Sequence, residues 1–445
     1  MKSELYKKIT AIILTAFVFT GIKAQTNKPE TGFNTTDSVD LESVVTEVIK
    51  THPSVIKATE AIQYAEAGIG MAKSARLPDI EFLAGYTHIG PIPSITIPDL
   101  GTLKMGANDN INSAVSVHEN IYTFTKTEKN IQVQESAREI ATAGVDLVKE
   151  RLTLVTALNY YTLVYLQEAL VIRNLQIKTL QEYYNFVNKK QETGSATKYE
   201  VLSTKVRLSA AENARVDVET AYKNTLTVLN TLLGLPPNTV IKAKKLFIEP
   251  IVTESAEKMV DFAWNNRTEM TLAKLKQQNA ALNLSAVKVQ NNPVLSAFTN
   301  GGFKNGYIPN LQQIKANYAA GLTLKVPIFT ASRQKYSELI ATTGINLAQQ
   351  DQVQTERDIS AEVYQNDANL HAALQKIAQT ELQVQEAEEA NKLAELSYKT
   401  GSITNLDLLN SQTIEAESRL NLLKAKSDYA MSIVKLKLSL GQKPF

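Results

Sequence analysis

The strongest constraint on this chain is that much of its sequence occurs twice. "ETGSATKYEVL" (Glu192 to Leu202) and "KTGSITNLDLL" (Lys399 to Leu409) lie 207 residues apart. At that offset Thr193, Gly194, Ser195 and Thr197 fall on Thr400, Gly401, Ser402 and Thr404. Leu202 then falls on Leu409, Tyr222 on Tyr429, Gly234 on Gly441 and Pro237 on Pro444, without a gap. Upstream, Ile121-Tyr122-Thr123 matches Ile328-Phe329-Thr330. Further upstream the offset is 215, pairing Gln63 with Gln278, Lys73 with Lys288 and Pro78 with Pro293. One length difference between Pro78 and Ile121 accounts for the change. The chain is thus a duplicated unit: a first repeat over 41–235, a connecting segment over 236–255 and a second repeat over 256–445.

Each unit reads helix, strand, strand, long helix, helix. The first helix spans Leu41 to Arg76, and its counterpart about Ala256 to Asn291. Both end just before a proline, where the preceding residue disfavours helix. The period then becomes two. Ile111, Val115, Val117 and Ile121 alternate with Asn110, Asn112, Ser116, His118 and Asn120. In the second repeat Ile314, Ala316, Tyr318, Ala320, Leu322, Leu324, Val326 and Ile328 share a face opposite Lys315, Asn317, Thr323 and Lys325. Ile80, Phe82, Ala84 and Tyr86 form a similar face, whereas the segment after Pro293 is apolar on both sides. Strands are expected at about 79–90, 110–124, 293–304 and 314–329.

Thr125-Lys126-Thr127-Glu128 fits a capping box and opens a proline-free run to Gln191; the second copy runs from about Ser332 to Lys399. Some 65 residues at 1.5 Å per residue make a helix of about 100 Å. Val363, Leu370, Ile377 and Val384 recur every seven residues, and Val145, Val148, Leu152 and Val155 step by 3, 4 and 3. Such spacing marks a coiled coil. Gly194 and Gly401 stop the long helices, and Tyr199 to Leu233 and Leu406 to Leu440 return. The two quoted strings are therefore the tips of two helical hairpins.

Composition narrows the chemistry. No cysteine is present, so disulfides and thiolate sites are excluded, and the four histidines (His52, His88, His118, His371) are scattered. No glycine-rich phosphate loop and no hydrolase or metalloprotease motif occurs, so no catalytic residue, metal site or cofactor is expected and the chain does not read as an enzyme. Glu386, Glu388 and Glu389 read as a solvated helix face. Residues 1–24 read as an export signal: Lys2, Lys7 and Lys8, then an apolar run from Ile9 to Thr20 too short to span a bilayer, then Ile22-Lys23-Ala24. Residues 25–40 read as a tether. Removing 1–24 takes four lysines and one glutamate from a net charge of +2, leaving −1, which gives no reason to expect a nucleic-acid partner.

Four strands cannot close a barrel and would leave two open edges. Three chains would supply twelve, and a barrel apolar outside and polar inside is how strands cross a membrane. Tyr86, Tyr122, Phe124, Phe298, Tyr307, Tyr318 and Phe329 lie in or beside the strands, where an interfacial girdle or a soluble core would use them. The duplicated unit, RLPDI and NNPVL, NIYTFTK and VPIFTASR, and the tips followed by YEVLSTKVRLSAAE and LDLLNSQTIEAESRL carry a further reading. In order and spacing the chain resembles the TolC family of outer-membrane efflux proteins over almost all of its mature length.

The resemblance implies a mainly helical chain with a transmembrane β portion. It also implies a homotrimer with a 12-stranded β-barrel and a 12-helix α-barrel, set in outer-membrane lipid with a large periplasmic portion. The implied partners are a periplasmic adaptor protein and an inner-membrane pump or ABC transporter. Residues 236–255, with Leu246-Phe247-Ile248 as a short strand, would join an equatorial belt. Asp407 would sit at the pore entrance. Asn410 stands where a second acid often follows, and Glu200 is the first-repeat counterpart of Asp407. Gly194, Ser195, Gly401 and Ser402 would meet the partner's tips. Read from residues alone, Thr404 to Asp407 and Thr197 to Glu200 are also capping boxes. The competing function is a soluble periplasmic coiled-coil adaptor or scaffold. Phe445 follows a helix and is given no role.

Overall fold

The computed structural model describes residues 38–98, 101–244 and 254–443; the export signal, most of the tether, Leu246-Phe247-Ile248 and Phe445 lie outside the described residues. The chain opens with α1 (Leu41–Thr51) and α2 (Pro53–Ser74). The sequence suggested one helix here, but Pro53 lacks an N–H and forces His52 into an extended conformation (ψ 130°). The second repeat breaks at the equivalent position without a proline. Arg267 is extended (ψ 137°) between α5 (Ala256–Asn266) and α6 (Thr268–Lys288). Its guanidinium is 10 % exposed and holds Glu269 at 2.7 Å and Glu362.

The strands are β1 (Asp79–His88), β4 (Asp109–Tyr122), β5 (Val294–Lys304) and β6 (Lys315–Lys325), in one antiparallel sheet of that order. The first repeat's length excess becomes a separate hairpin, β2 (Ser94–Ile97) and β3 (Gly101–Lys104). The last strand stops at Lys325, short of the expected 329, because Pro327 cannot donate to a ladder. Val326 and Ile328 therefore leave the strand face. Register fixes what the pattern after Pro293 left open. Phe82, Val115, Gly301 and Tyr318 stand in one row, and Ala297 pairs with Leu322 on the same face. The other face carries Ser116, His118, Asn300, Asn317 and Lys325. Phe298 belongs to this polar face and so cannot join an outward girdle. It pairs with Gly321, where a Cβ would come within 2.8 Å of its ring.

Each repeat turns from strand to long helix through two consecutive left-handed residues: Phe124 (φ 48°) and Thr125 (φ 70°), then Ala331 (φ 49°) and Ser332 (φ 63°). Thr125 is thus no capping-box residue. The Thr127 amide donates instead to Thr123 Oγ1 (3.4 Å), and Glu128 pairs with Arg76 at 3.0 Å. Asn292 Nδ2 donates to the Phe124 carbonyl (2.8 Å), so the second repeat braces the first repeat's elbow.

From the elbows run α3 (Lys126–Glu192) and α7 (Arg333–Lys399); α4 (Lys198–Leu233) and α8 (Asn405–Ser439) return. Val363 and Leu370 on α7 are buried with Met259, Val260, Tyr429 and Leu436. On α3 the expected stripe does not hold. Val145 is buried but Val155 is 44 % exposed, and Ala157, Tyr160, Leu163 and Val164 form the core instead. A straight helix drifts off a strict seven-residue repeat, which moves the seam.

The connecting segment docks through Ala243, which bridges Val39, and Lys244, which donates to Asp40 Oδ2 (2.9 Å). Asp40 also caps α1 by accepting from the Ser43 amide (3.0 Å). Lys244 and then Ser43 lower its pKa from 3.8 to about 2. A folded pKa below the unfolded one means stabilisation present above about pH 4 and lost as pH falls toward 2. The ion pair is half exposed, so solvent and salt screen it and the effect on stability is small. Asp40→Ala is expected to destabilise α1 by about 1 kcal/mol. Hydrogen exchange of the first turn of α1 should show faster opening in Asp40→Ala at pH 7, and the two proteins converging near pH 2.

Candidate functional site at the hairpin tips

Both tips are built alike. Gly194 and Gly401 share φ 76°, and a Cβ at either would meet nothing within 4 Å. Glycine is required there by backbone conformation, not by crowding. Each long helix ends in a six-residue closure, Ser195 N to Lys190 O at 2.7 Å and Ser402 N to Ser397 O at 2.8 Å. The hydroxyls of Thr193 and Ser195 lie 3.4 Å apart, and those of Thr400 and Ser402 3.0 Å apart. Gly194, Ser195, Gly401 and Ser402 are all exposed.

The returning helices both start in complete capping boxes. Glu200 N donates to Thr197 Oγ1 (3.2 Å), and Thr197 N donates to Glu200 Oε2 (2.7 Å). Asp407 N donates to Thr404 Oγ1 (3.2 Å), while Thr404 N and Oγ1 donate to Asp407 Oδ2 (3.0 and 2.6 Å). These bonds, the Thr404 hydroxyl first and its amide next, lower the Asp407 pKa. Oδ1 has no hydrogen-bond partner among the described residues. Asn410, in place of a second acid, accepts from Arg207 Nη2 at 2.9 Å.

The residue that joins the two tips was not apparent from sequence. Asn405, 4 % exposed, accepts from Tyr183 OH at 2.6 Å and donates to Ser203 Oγ at 3.2 Å and the Glu200 carbonyl at 3.4 Å. It therefore links α8 to α3 and to α4. The Tyr183 and Tyr398 rings meet edge to face at 5.7 Å, and Lys190 lies 5.1 Å over Tyr398. Burial pushes the Tyr183 hydroxyl's pKa upward, so it stays a donor. The signal was a mismatch between copies: Asn405 falls on Lys198, and Arg207 on Ile414. Among the other sequence candidates, His371 is exposed and lies 3.4 Å from Asp367. Glu388 is not merely solvated but pairs with Arg419 at 2.9 Å.

A sheet exposed on both faces is joined through elbows to two helical hairpins whose long arms run about 100 Å. The model of the outer membrane efflux protein family matches residues 44–235 and 260–442, and the chain belongs to that family. Outer membrane protein TolC of Vibrio cholerae serotype O1 is 20% identical over 407 residues, covering 90% of each chain. Pyoverdine export outer membrane protein OpmQ of Pseudomonas putida is 21% identical, covering 88% of this chain and 84% of its own. The Campylobacter jejuni CmeC outer membrane channel superposes with a TM-score of 0.77 at 15% identity, covering 90% of this chain and 85% of CmeC. Vibrio cholerae VceC gives 0.74 at 18% identity, covering 91% and 97%. These likenesses show the fold. The resemblance to TolC proteins read from the sequence holds, and the soluble adaptor reading gives way to an outer-membrane efflux channel. The family is one of channels rather than enzymes.

Removing the Asn405 amide leaves part-buried groups of two neighbouring helices unpaired. Asn405→Ala is expected to cost about 1–3 kcal/mol and Asn410→Ala, at the exposed surface, less than about 0.5 kcal/mol. Thermal unfolding should rank the two in that order.

Proposed function

We propose that three copies assemble into a passive duct that carries substrates across the outer membrane and the periplasm. A periplasmic adaptor and an energised inner-membrane pump or ABC transporter would act as its partners. The observation that carries this reading is the sheet. Phe82, Leu322 and Tyr318 are 71 %, 68 % and 89 % exposed on one face, the opposite face is mainly polar with Leu83 and Phe298 as exceptions, and among the described residues β1 and β6 each pair on one side only. In a three-fold assembly β6 of one copy would meet β1 of the next, continuing the antiparallel alternation to twelve strands. Lipid would cover the apolar face and water the polar one. Exposed apolar residues on the hairpins, such as Val171, Leu175, Leu382 and Ile414, would pack between copies in a twelve-helix barrel.

The tips would form the periplasmic entrance, with Gly194, Ser195, Gly401 and Ser402 against the partner's helices and Asp407, Asn410 and Glu200 near the aperture. Asp407 then has two tasks. Oδ2 serves the cap, and Oδ1 is left to face the axis or a cation. Neighbouring copies would push its pKa upward by like-charge repulsion, against the lowering by the cap. With Asn410 bound to Arg207 in place of a second acid, the entrance would hold multivalent cations weakly.

Leu322→Arg or Leu324→Arg is expected to cost about 2–4 kcal/mol at the bilayer midplane and to reduce trimer yield in the outer membrane. Thr323→Arg, on the polar face, should assemble. Equal loss at all three positions would contradict the face assignment.

Bilayer recordings test the entrance. Asp407→Asn should relieve block by multivalent cations from the periplasmic side and lower cation selectivity, with Glu386→Gln as a neutral control. Gly401→Arg should abolish export while trimers still reach the outer membrane. Unchanged currents in Asp407→Asn would leave that residue a cap only.

A further inference from the structure

We propose that the crevice where the two hairpins meet, between α3, α7 and α8, binds a hydrated divalent cation. The crevice holds about 230 Å³ and lies along the hairpins, away from the tip residues. Asn391 and Gln412 line it, 8 % and 9 % exposed. Asn391 Oδ1 and Gln412 Oε1 are buried acceptors with no hydrogen-bond partner among the described residues.

Two of the donors around them are committed to carboxylates. Asn391 Nδ2 donates to Glu415 Oε2 at 2.7 Å. Arg419 reaches Glu415 at 2.8 Å and Glu388 at 2.9 Å. Glu395 lines the same wall and enters no ion pair among the described residues. Gln176 and Thr179 also line the wall and carry donors, while the two carboxylates Glu395 and Glu415 outnumber the one guanidinium, Arg419. A buried acceptor needs a donor, and an excess of carboxylates attracts a positive charge. Neutral water meets the first need and leaves the second.

A hydrated divalent cation meets both. At roughly 30 Å³ per water the crevice has room for about seven waters, enough for a cation with a six-water shell. Waters polarised by such a cation present hydrogens outward, toward amide oxygens and carboxylate. Direct coordination does not fit, because no group of three or more carboxylates or imidazoles that could hold a metal occurs among the described residues. Magnesium gives up its water reluctantly and suits the site. The cation would bridge α3, which contributes Thr179, to α7 and α8, and so fasten one hairpin to the other.

Isothermal titration of the purified, detergent-solubilised protein with magnesium chloride tests this, alongside thermal unfolding with and without magnesium. Saturable binding and a rise in melting temperature are expected. Glu395→Gln, nearly isosteric, should weaken binding at least tenfold. Gln412→Leu should remove the magnesium-dependent rise while retaining native circular dichroism. An unchanged Glu395→Gln titration would overturn the proposal, as would heats with no saturation, which indicate water only. Loss of binding in Asp407→Asn with binding intact in Glu395→Gln would place the cation at the tips and also overturn it. The last two outcomes leave the channel reading untouched, since that reading rests on the sheet.

Discussion

An open sheet edge is a row of unpaired amides and carbonyls, and in hydrocarbon each such group costs several kcal/mol. The four-stranded sheet has two such edges, β1 and β6, and among the described residues no helix covers either face. Closing the edges against further copies removes the cost without a new element. The even number of alternating strands lets rotated copies join antiparallel. The elbows follow from the same constraint. A chain leaving a barrel wall must redirect within a few residues to start a helix, and two consecutive left-handed residues at each passage do so.

Duplication extends to backbone conformation. The elbows at Phe124-Thr125 and Ala331-Ser332, the tip glycines Gly194 and Gly401, and the glycines Gly234 and Gly441 keep both the spacing of 207 and the positive φ. The differences between copies are then informative. The β2–β3 hairpin occurs once, Asn405 replaces Lys198, and Arg207 binds Asn410 where the other copy has Ile414 and Ser203. The inner contact between hairpins is built from residues that only one copy has.

The periodic features were legible in sequence because each residue reports its own face. The Leu322 and Leu324 row, the Thr-Gly-Ser tips and both capping boxes at Thr197 and Thr404 are of this kind. Features set by partners distant in sequence were not. The face of Phe298 was open in sequence until its pairing with Gly321 placed it on the polar side. Thr125 looked like a cap until the elbow turned it left-handed. The break at Arg267 depends on Glu362, far along the chain, and carries no local signal like that of Pro53. Asn405 binds side chains on two helices of the other repeat, so no local pattern marks it.

The central claim is that β6 of one copy pairs with β1 of another. The natural absence of cysteine makes this directly measurable. A cysteine at Leu83 on β1, combined in turn with one at Asn317, Ala319 or Thr323 on β6, should oxidise between chains at one register and give covalent trimers on denaturing gels. Each single-cysteine variant should remain monomeric. Cross-linking that stops at dimers at every register, or none between β1 and β6 in protein recovered folded from the outer membrane, would contradict the account.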